Sequence, residues 1–264
     1  MQLQVYQVAA FTDREFGGNP AAVVPLDDWI DDALLQKIAA ENNLSETAFF
    51  VPLANDAWHI RWFTPEVEVP LCGHATLASA AVIRERLNHD EWPIRLQSAS
   101  GMLEVDVDGN GYVLDFPSIR PRAIDLPDGF EAALGCDVME SFIADDMFMV
   151  VLPDEATVAS LVPDFPALAR LTRHGVIATA LGDRDDFVSR FFAPSLGIDE
   201  DPVTGAAHCV LTPYWSARLG KRRLVARQVS SRGGVVECLD RDDRVSLRGQ
   251  VVFFLDGLIT VADP

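Results

Sequence analysis

The feature that most narrows what this chain can fold into is an echo of itself. "RWFTPEVEVPLCGHATLASA" (Arg61–Ala80) returns in the second half as "RFFAPSLGIDEDPVTGAAHCV" (Arg190–Val210). Each copy has an arginine, two aromatics and a proline, then a polar stretch, then a glycine opening an alanine-rich helix. One copy falls in each half, at corresponding places, so the chain reads as a duplicated α+β unit. The best boundary between the copies is "IRPRAIDLP" (Ile119–Pro127), which gives domains at 1–118 and 119–264.

The length of 264 residues suits two such domains, and the 49% hydrophobic content supplies an ordinary core. No apolar run is long enough to span a membrane. The opening "MQLQVYQVAAF" lacks the basic start and long apolar stretch of an export signal. Four cysteines with no CxxC pair give neither a disulfide framework nor a structural zinc pattern, so a reducing cytoplasm is expected. A net charge of −19 argues against nucleic acid and against a membrane surface as partners. The lysines, Lys37 and Lys221, read as exposed, which leaves pyridoxal chemistry without its Schiff base. No cofactor and no metal are expected.

Periodicity sketches the elements. A half-buried strand opens the chain, and "FGGNPAAVV" is a glycine-rich turn into a second strand. A helix is expected over Trp29–Glu41 with Asp27 or Asp28 as its cap, then strands in "ETAFFVP" and "WHIRWFTP". A second helix follows "LCGHAT", and a hairpin turns at Asp108–Gly111. In the second half, strands are expected at Met147–Leu152 and Phe187–Phe192. A helix runs over Ala206–Leu219, bent at Pro213 and stopped at Gly220. Five short strands then close the chain, the last two at Val251–Phe254 and Leu258–Val261.

The two glycine-started helices carry the chemistry. A helix begins with backbone N–H groups that lack internal partners and with about half a positive elementary charge, so it holds a carboxylate without any lysine or arginine. If the copies pack face to face, Gly73–Ala75 and Gly205–Ala207 point into one cleft. His74, at such an entry, is expected to stay neutral, its pKa lowered by the helix dipole. The histidines show no HxxxH or HExxH spacing. Cys72 reads either as a dipole-stabilised thiolate or as a small buried apolar residue. A two-thiol racemase needs a second thiol, yet Asp201, Pro202 and Val203 stand where the partner should be and Cys209 comes a turn too late. Glu46, a lone acid entering an apolar strand, is the better proton carrier, since partial desolvation raises a carboxyl towards the working range.

"FGGNPAAVV", "LSETAFFV", "RWFTPEVEVPLCGHATLASA", "DPVTGAAHCVLTPYW" and "RQVSSRGG" together resemble the phenazine-biosynthesis-like (PhzF-like) isomerases of the diaminopimelate epimerase fold. The resemblance implies two similar α+β domains, each a curved, barrel-like antiparallel sheet around a central helix. They form a pseudo-two-fold pair whose last strand returns to the first domain. It also implies a homodimer and a cofactor-free proton shift on a small carboxylate-bearing metabolite in the interdomain cleft. Residue by residue, Glu46, His74 and Asp201 fall on the family's catalytic positions. Asn19, Cys72, Gly73, Ala75, Thr204, Gly205 and Ala206 are the substrate-binding candidates. Ala206 departs from the pattern, standing where well-studied members often carry a small polar residue. Two other readings stay open: a cysteine-dependent epimerase using Cys72, and a small-acid binding protein without turnover.

Overall fold

The computed structural model describes residues 1–54 and 56–261. The chain forms two compact units, residues 1–115 with the C-terminal segment from Arg248, and Phe116–Leu247. The first unit contains β1 (Gln2–Ala10), β2 (Asn19–Pro25), α1 (Asp32–Asn42), β3 (Glu46–Leu53), β4 (Ala57–Phe63), β5 (Glu68–Val69), α2 (Gly73–Glu85), β6 (Ile94–Ser98), β7 (Gly101–Asp108) and β8 (Gly111–Pro117). The second follows with β9 (Arg122–Ala123), α3 (Phe130–Leu134), β10 (Glu140–Ala144), β11 (Met147–Val151), α4 (Glu155–Ser160), α5 (Phe165–Leu171), β12 (Gly175–Leu181), β13 (Phe187–Ala193), β14 (Ile198–Asp201), α6 (Gly205–Leu219), β15 (Arg223–Gln228), β16 (Gly234–Asp240) and β17 (Arg244–Gly249). The final strand, β18 (Val251–Thr260), pairs antiparallel along the whole of β1 and so belongs to the first unit.

Both units repeat one pairing scheme. In the first, β2 runs parallel to β3, β3 antiparallel to β4, and β4 takes β5 antiparallel and β6 parallel. In the second, β11, β12, β13, β14 and β15 pair in that same sequence of senses. The architecture is α+β, as expected. Even the ion pairs recur: Arg61 grips Glu68 through two nitrogens, at 2.8 and 2.7 Å, and Arg190 grips Glu200 at 2.7 and 2.8 Å. Each clamp ties the long strand to the short one that leads into the glycine-started helix.

Those helices are cores in themselves. Every residue of α2 from His74 to Ile83 is buried, and α6 is buried over Ala207–Pro213 and at Trp215. A helix apolar on all sides is a buried helix. The small side chains of Ala75, Ala78, Ala80 and Ala81 let the surrounding strands approach its backbone closely. Buried hydroxyls return to carbonyls one turn back: Thr76 Oγ1 to Cys72 O, Ser79 to Ala75 O at 2.7 Å and Thr212 to His208 O at 2.6 Å. α1 packs instead on the outer face of the first sheet, through Leu35, Ile38 and Ala39 against Phe49, Val51 and Phe63.

Several details differ from the sequence expectations. The cap of α1 is Asp31, which accepts from the N–H groups of Ala33 and Leu34; Asp27 and Asp28 lie too far upstream. α6 runs through Pro213 and stops, as expected, at Gly220 in the left-handed region. The carbonyl of Cys209, which a residue at 213 would otherwise bond, accepts from the Ile119 N–H at 3.1 Å instead. β18 is one strand where two were expected. Leu255, Asp256 and Gly257 stay paired with β1, and an irregularity between Gln7 and Val8 absorbs the extra residue.

Candidate active site

Four of the expected residues meet in the first unit. Gly18 adopts φ 65°, and a Cβ there would strike the Ala10 carbonyl, so only glycine brings the chain this close before β2 begins at Asn19. Asn19 is fully buried and donates from Nδ2 to Nδ1 of His74 at 3.2 Å. An amide nitrogen can only donate, so Nδ1 accepts and the ring proton sits on Nε2. That nitrogen lies 3.3 Å from Oε2 of Glu46. Glu46 is the first residue of β3, just past the left-handed Asn43 that ends α1, and its side chain is 14% exposed. Cys72 Sγ lies 3.5 Å from Nδ1.

Burial holds His74 neutral, pushing its pKa down from 6.5 to about 3. The direction is the expected one, and burial of the ring is its largest cause. Glu46, Cys72 and His74 place ligand atoms within 4.8 Å of one another. Cys72 lies nearer Nδ1 of the imidazole and Glu46 nearer Nε2.

Asp201, Thr204, Gly205 and Ala206 lie in the second unit. Thr204 occupies the N-cap of α6 with extended backbone angles like those of Cys72 at the N-cap of α2, and neither side chain caps its helix. By contrast α1, α4 and α5 are capped by Asp31, Asp154 and Asp164. The first turns of α2 and α6, with Gly73 and Ala75 in one and Gly205 and Ala206 in the other, are thus without the carboxylate cap of α1, α4 and α5. Thr204 is the true counterpart of Cys72, not Asp201–Val203 as the sequence spacing suggested. Its hydroxyl donates to Asp201 Oδ2 at 2.5 Å. Cys209 lies inside the helix with Sγ on the Gly205 carbonyl at 3.5 Å.

Strand register reveals how the halves diverged. Phe49 pairs with Arg61 in the first unit and Ala178 with Arg190 in the second; stepping back along each strand sets Glu46 opposite Gly175 in the alignment of the copies. A Cβ at Gly175 would stand 2.5 Å from the ring of Phe191, which itself answers to Trp62. The place of the carboxylate is filled by an aromatic ring. His74 likewise answers to Ala206.

Two participants escaped the sequence reading. His208 is fully buried; its Nδ1 donates to the Thr204 carbonyl at 2.7 Å, and burial lowers its pKa to about 4. Gln228 is fully buried and bonded to Thr204 and Asp201. Both lie beside recognisable motif residues, but nothing in the spacing marks which way a side chain turns.

The model of the phenazine biosynthesis-like protein family matches residues 8–257. The chain belongs to that family. It is 49% identical over 259 residues to a Pseudomonas aeruginosa protein named an uncharacterized isomerase, covering 98% of this chain and 99% of the relative. A PhzF-family crystal structure from Enterococcus faecalis superposes with TM-score 0.96 at 46% identity, covering 99% of this chain and 100% of that one. A hydroxyproline epimerase from Agrobacterium vitis matches at TM-score 0.65 and 10% identity over 100% of this chain and 94% of that one, a likeness of fold alone.

Asn19 offers a direct check on the first-unit geometry. Asn19→Leu removes the donor that holds Nδ1 as acceptor, and the imidazole is expected to redistribute between tautomers, visible in its ¹⁵N shifts. Turnover is expected to fall roughly tenfold, the worth of one buried hydrogen bond. An unchanged ¹⁵N pattern would mean that Asn19 does not set the tautomer.

Proposed function

We propose that the protein is a cofactor-independent isomerase that moves a proton on a small carboxylate-bearing substrate, with Glu46 as the general acid–base group. The observation that carries this reading is the asymmetry of the copies: Glu46 has Gly175 for a counterpart, and the space is taken by Phe191. A racemase working through two bases needs a proton carrier on each side of the carbon. Here only one copy has kept a carboxylate at that strand position, which favours one group that removes a proton and returns it elsewhere on the same face.

The roles follow from the chemistry. The uncapped first turns at Gly73–Ala75 and at Gly205–Ala207 each offer N–H groups to a carboxylate, in a chain whose side-chain charge would otherwise repel it. Glu46 takes the C–H proton as its carboxylate becomes the acid, then delivers it to a second carbon of the delocalised anion. His74, neutral with its proton on Nε2, stands 3.3 Å from Oε2 of Glu46, close enough to favour the carboxylate form electrostatically. Asp201, held by the Thr204 hydroxyl, is the second unit's candidate for positioning substrate and sharing the proton traffic. The relatives' printed names, isomerase among them, support the reaction class. The cysteine-dependent alternative is disfavoured because Thr204, its hydroxyl committed to Asp201, stands where the second thiol is needed.

A crystal soaked in a small carboxylate tests the anion site. The expected result is a carboxylate on the N–H groups of Gly73–Ala75 or of Gly205–Ala207. An anion found only at surface arginines would overturn that part of the reading.

A further inference from the structure

We infer that Gln228 is a positioning residue that locks Asp201 and the entry of α6 into one rigid unit. The inference rests on the role proposed for Asp201, but the geometry behind it is independent of any substrate. Gln228 ends β15, pairs in parallel with Ser189 of β13, and is fully buried. Its Oε1 accepts from the Thr204 N–H at 2.9 Å, and its Nε2 donates to the Asp201 carbonyl at 2.7 Å and to Thr204 Oγ1 at 3.3 Å.

Direction matters in this chain of bonds. Nε2 can only donate, so the Thr204 hydroxyl receives from it and must spend its own proton on Asp201 Oδ2. Gln228 therefore fixes the orientation of the hydroxyl, and the hydroxyl holds Oδ2 of Asp201. It also takes up the Thr204 N–H, so that an incoming anion has the next N–H groups of the first turn to use. Ser230 closes the same corner by donating to the Pro202 carbonyl at 2.8 Å.

The first copy shows that the fold does not require this glutamine. His59 pairs with Gln97 where Val188 pairs with Arg227, so the next residue, Ser98, is the counterpart of Gln228. The neighbouring contact confirms the alignment, since Ser100 donates to the Pro70 carbonyl at 2.8 Å as Ser230 does to Pro202. Ser98 turns its hydroxyl to the Gly101 carbonyl at 2.9 Å. Val69, Pro70 and Ser98, the counterparts of Asp201, Pro202 and Gln228, line a cavity of about 430 Å³. A barrel of this design stands with a serine and a cavity at the position. The long amide is found in the copy that carries Asp201, which marks it as support for that carboxylate.

The test is a double-mutant cycle on proton exchange at carbon, measured in D₂O with small unsaturated and amino acids as probes. Gln228→Met keeps the volume and loses the hydrogen bonds; Gln228→Ser copies the folded first repeat. In Gln228→Met the apparent kcat is expected to fall tenfold or more, with KM changing less than about threefold. In an Asp201→Ala background the same change is expected to cost little, because the residue it serves is gone. Gln228→Glu should recover as pH falls and its carboxyl, once protonated, donates as the amide does; Gln228→Met should not. Thr204 amide exchange with solvent is expected to speed up roughly tenfold in the folded Gln228→Met protein. Equal losses with and without Asp201, or unchanged Thr204 protection in a folded variant, would overturn the inference. If the parent protein exchanges no probe, the isomerase reading is what fails, and the Thr204 amide still decides the role of Gln228.

Discussion

Replacing Glu46 by glutamine is expected to slow turnover by about 10²–10⁴ while leaving substrate affinity nearly unchanged. The amide keeps the length of the side chain and its contact with Nε2 of His74, 3.3 Å away in the parent, but it cannot carry a proton. Affinity is expected to survive because the carboxylate is assigned to backbone N–H groups elsewhere. Cys72→Ala should be mild by comparison, since Sγ contributes a 3.5 Å contact to the imidazole and no proton to the reaction as proposed. Kinetics on the two variants separate the readings. Were Glu46→Gln as fast as the parent and Cys72→Ala inactive, the glutamate mechanism would be wrong. Were both variants to bind a probe that even the parent cannot turn over, the binding-protein reading would gain.

Acid should unfold the protein through its two buried imidazoles. In the folded state His74 titrates at about 3 and His208 at about 4, against 6.5 for an unperturbed histidine. Below pH 6.5 the unfolded chain takes up protons that the folded one refuses. Stability therefore falls as pH falls, and the loss levels off once the folded values are passed. At pH 4 each histidine is expected to cost on the order of 3 kcal/mol. Together they consume a large share of the roughly 5–15 kcal/mol typical of a folded protein. His208→Asn keeps a donor for the Thr204 carbonyl but cannot charge, so its acid midpoint should lie lower than the parent's. Denaturant melts between pH 4 and 8 measure the slope, and histidine ring resonances check its origin. A His74 or His208 signal that titrates near 6.5 in the folded protein would remove the explanation.

The duplication was legible in the sequence because the Arg-aromatic-aromatic-Pro signature and the glycine helix starts are local patterns with local causes. The meeting of Glu46, Cys72 and His74 was anticipated at the level of residue choice. The bonds that organise them were not: Asn19 reaches His74 across 55 residues, and Gln228 reaches Thr204 across 24. Only the packing of a strand against a helix start joins such positions, and one residue of slip along the strand would turn Asn19 or Gln228 to the other face. The strand β12, "GVIATAL", passed unnoticed because a strand buried on both faces shows no alternation. The correspondence of Glu46 with Gly175 was out of reach for the same reason, since a glycine at a strand start carries no sign of the ring that fills its space.

Internal return of a label tests the central claim most directly. A probe that the enzyme turns over is prepared with deuterium at the carbon that loses its proton, and the product is analysed after a single turnover in ordinary water. A carboxylic acid carries one proton, so Glu46 can hand the same deuteron back before solvent replaces it. The account predicts product that retains part of the label at the new carbon, in the parent and in Cys72→Ala alike, and no product from Glu46→Gln on the same timescale. Complete loss of label with inverted configuration at the original carbon, abolished by Cys72→Ala, would show two-base chemistry and contradict the account.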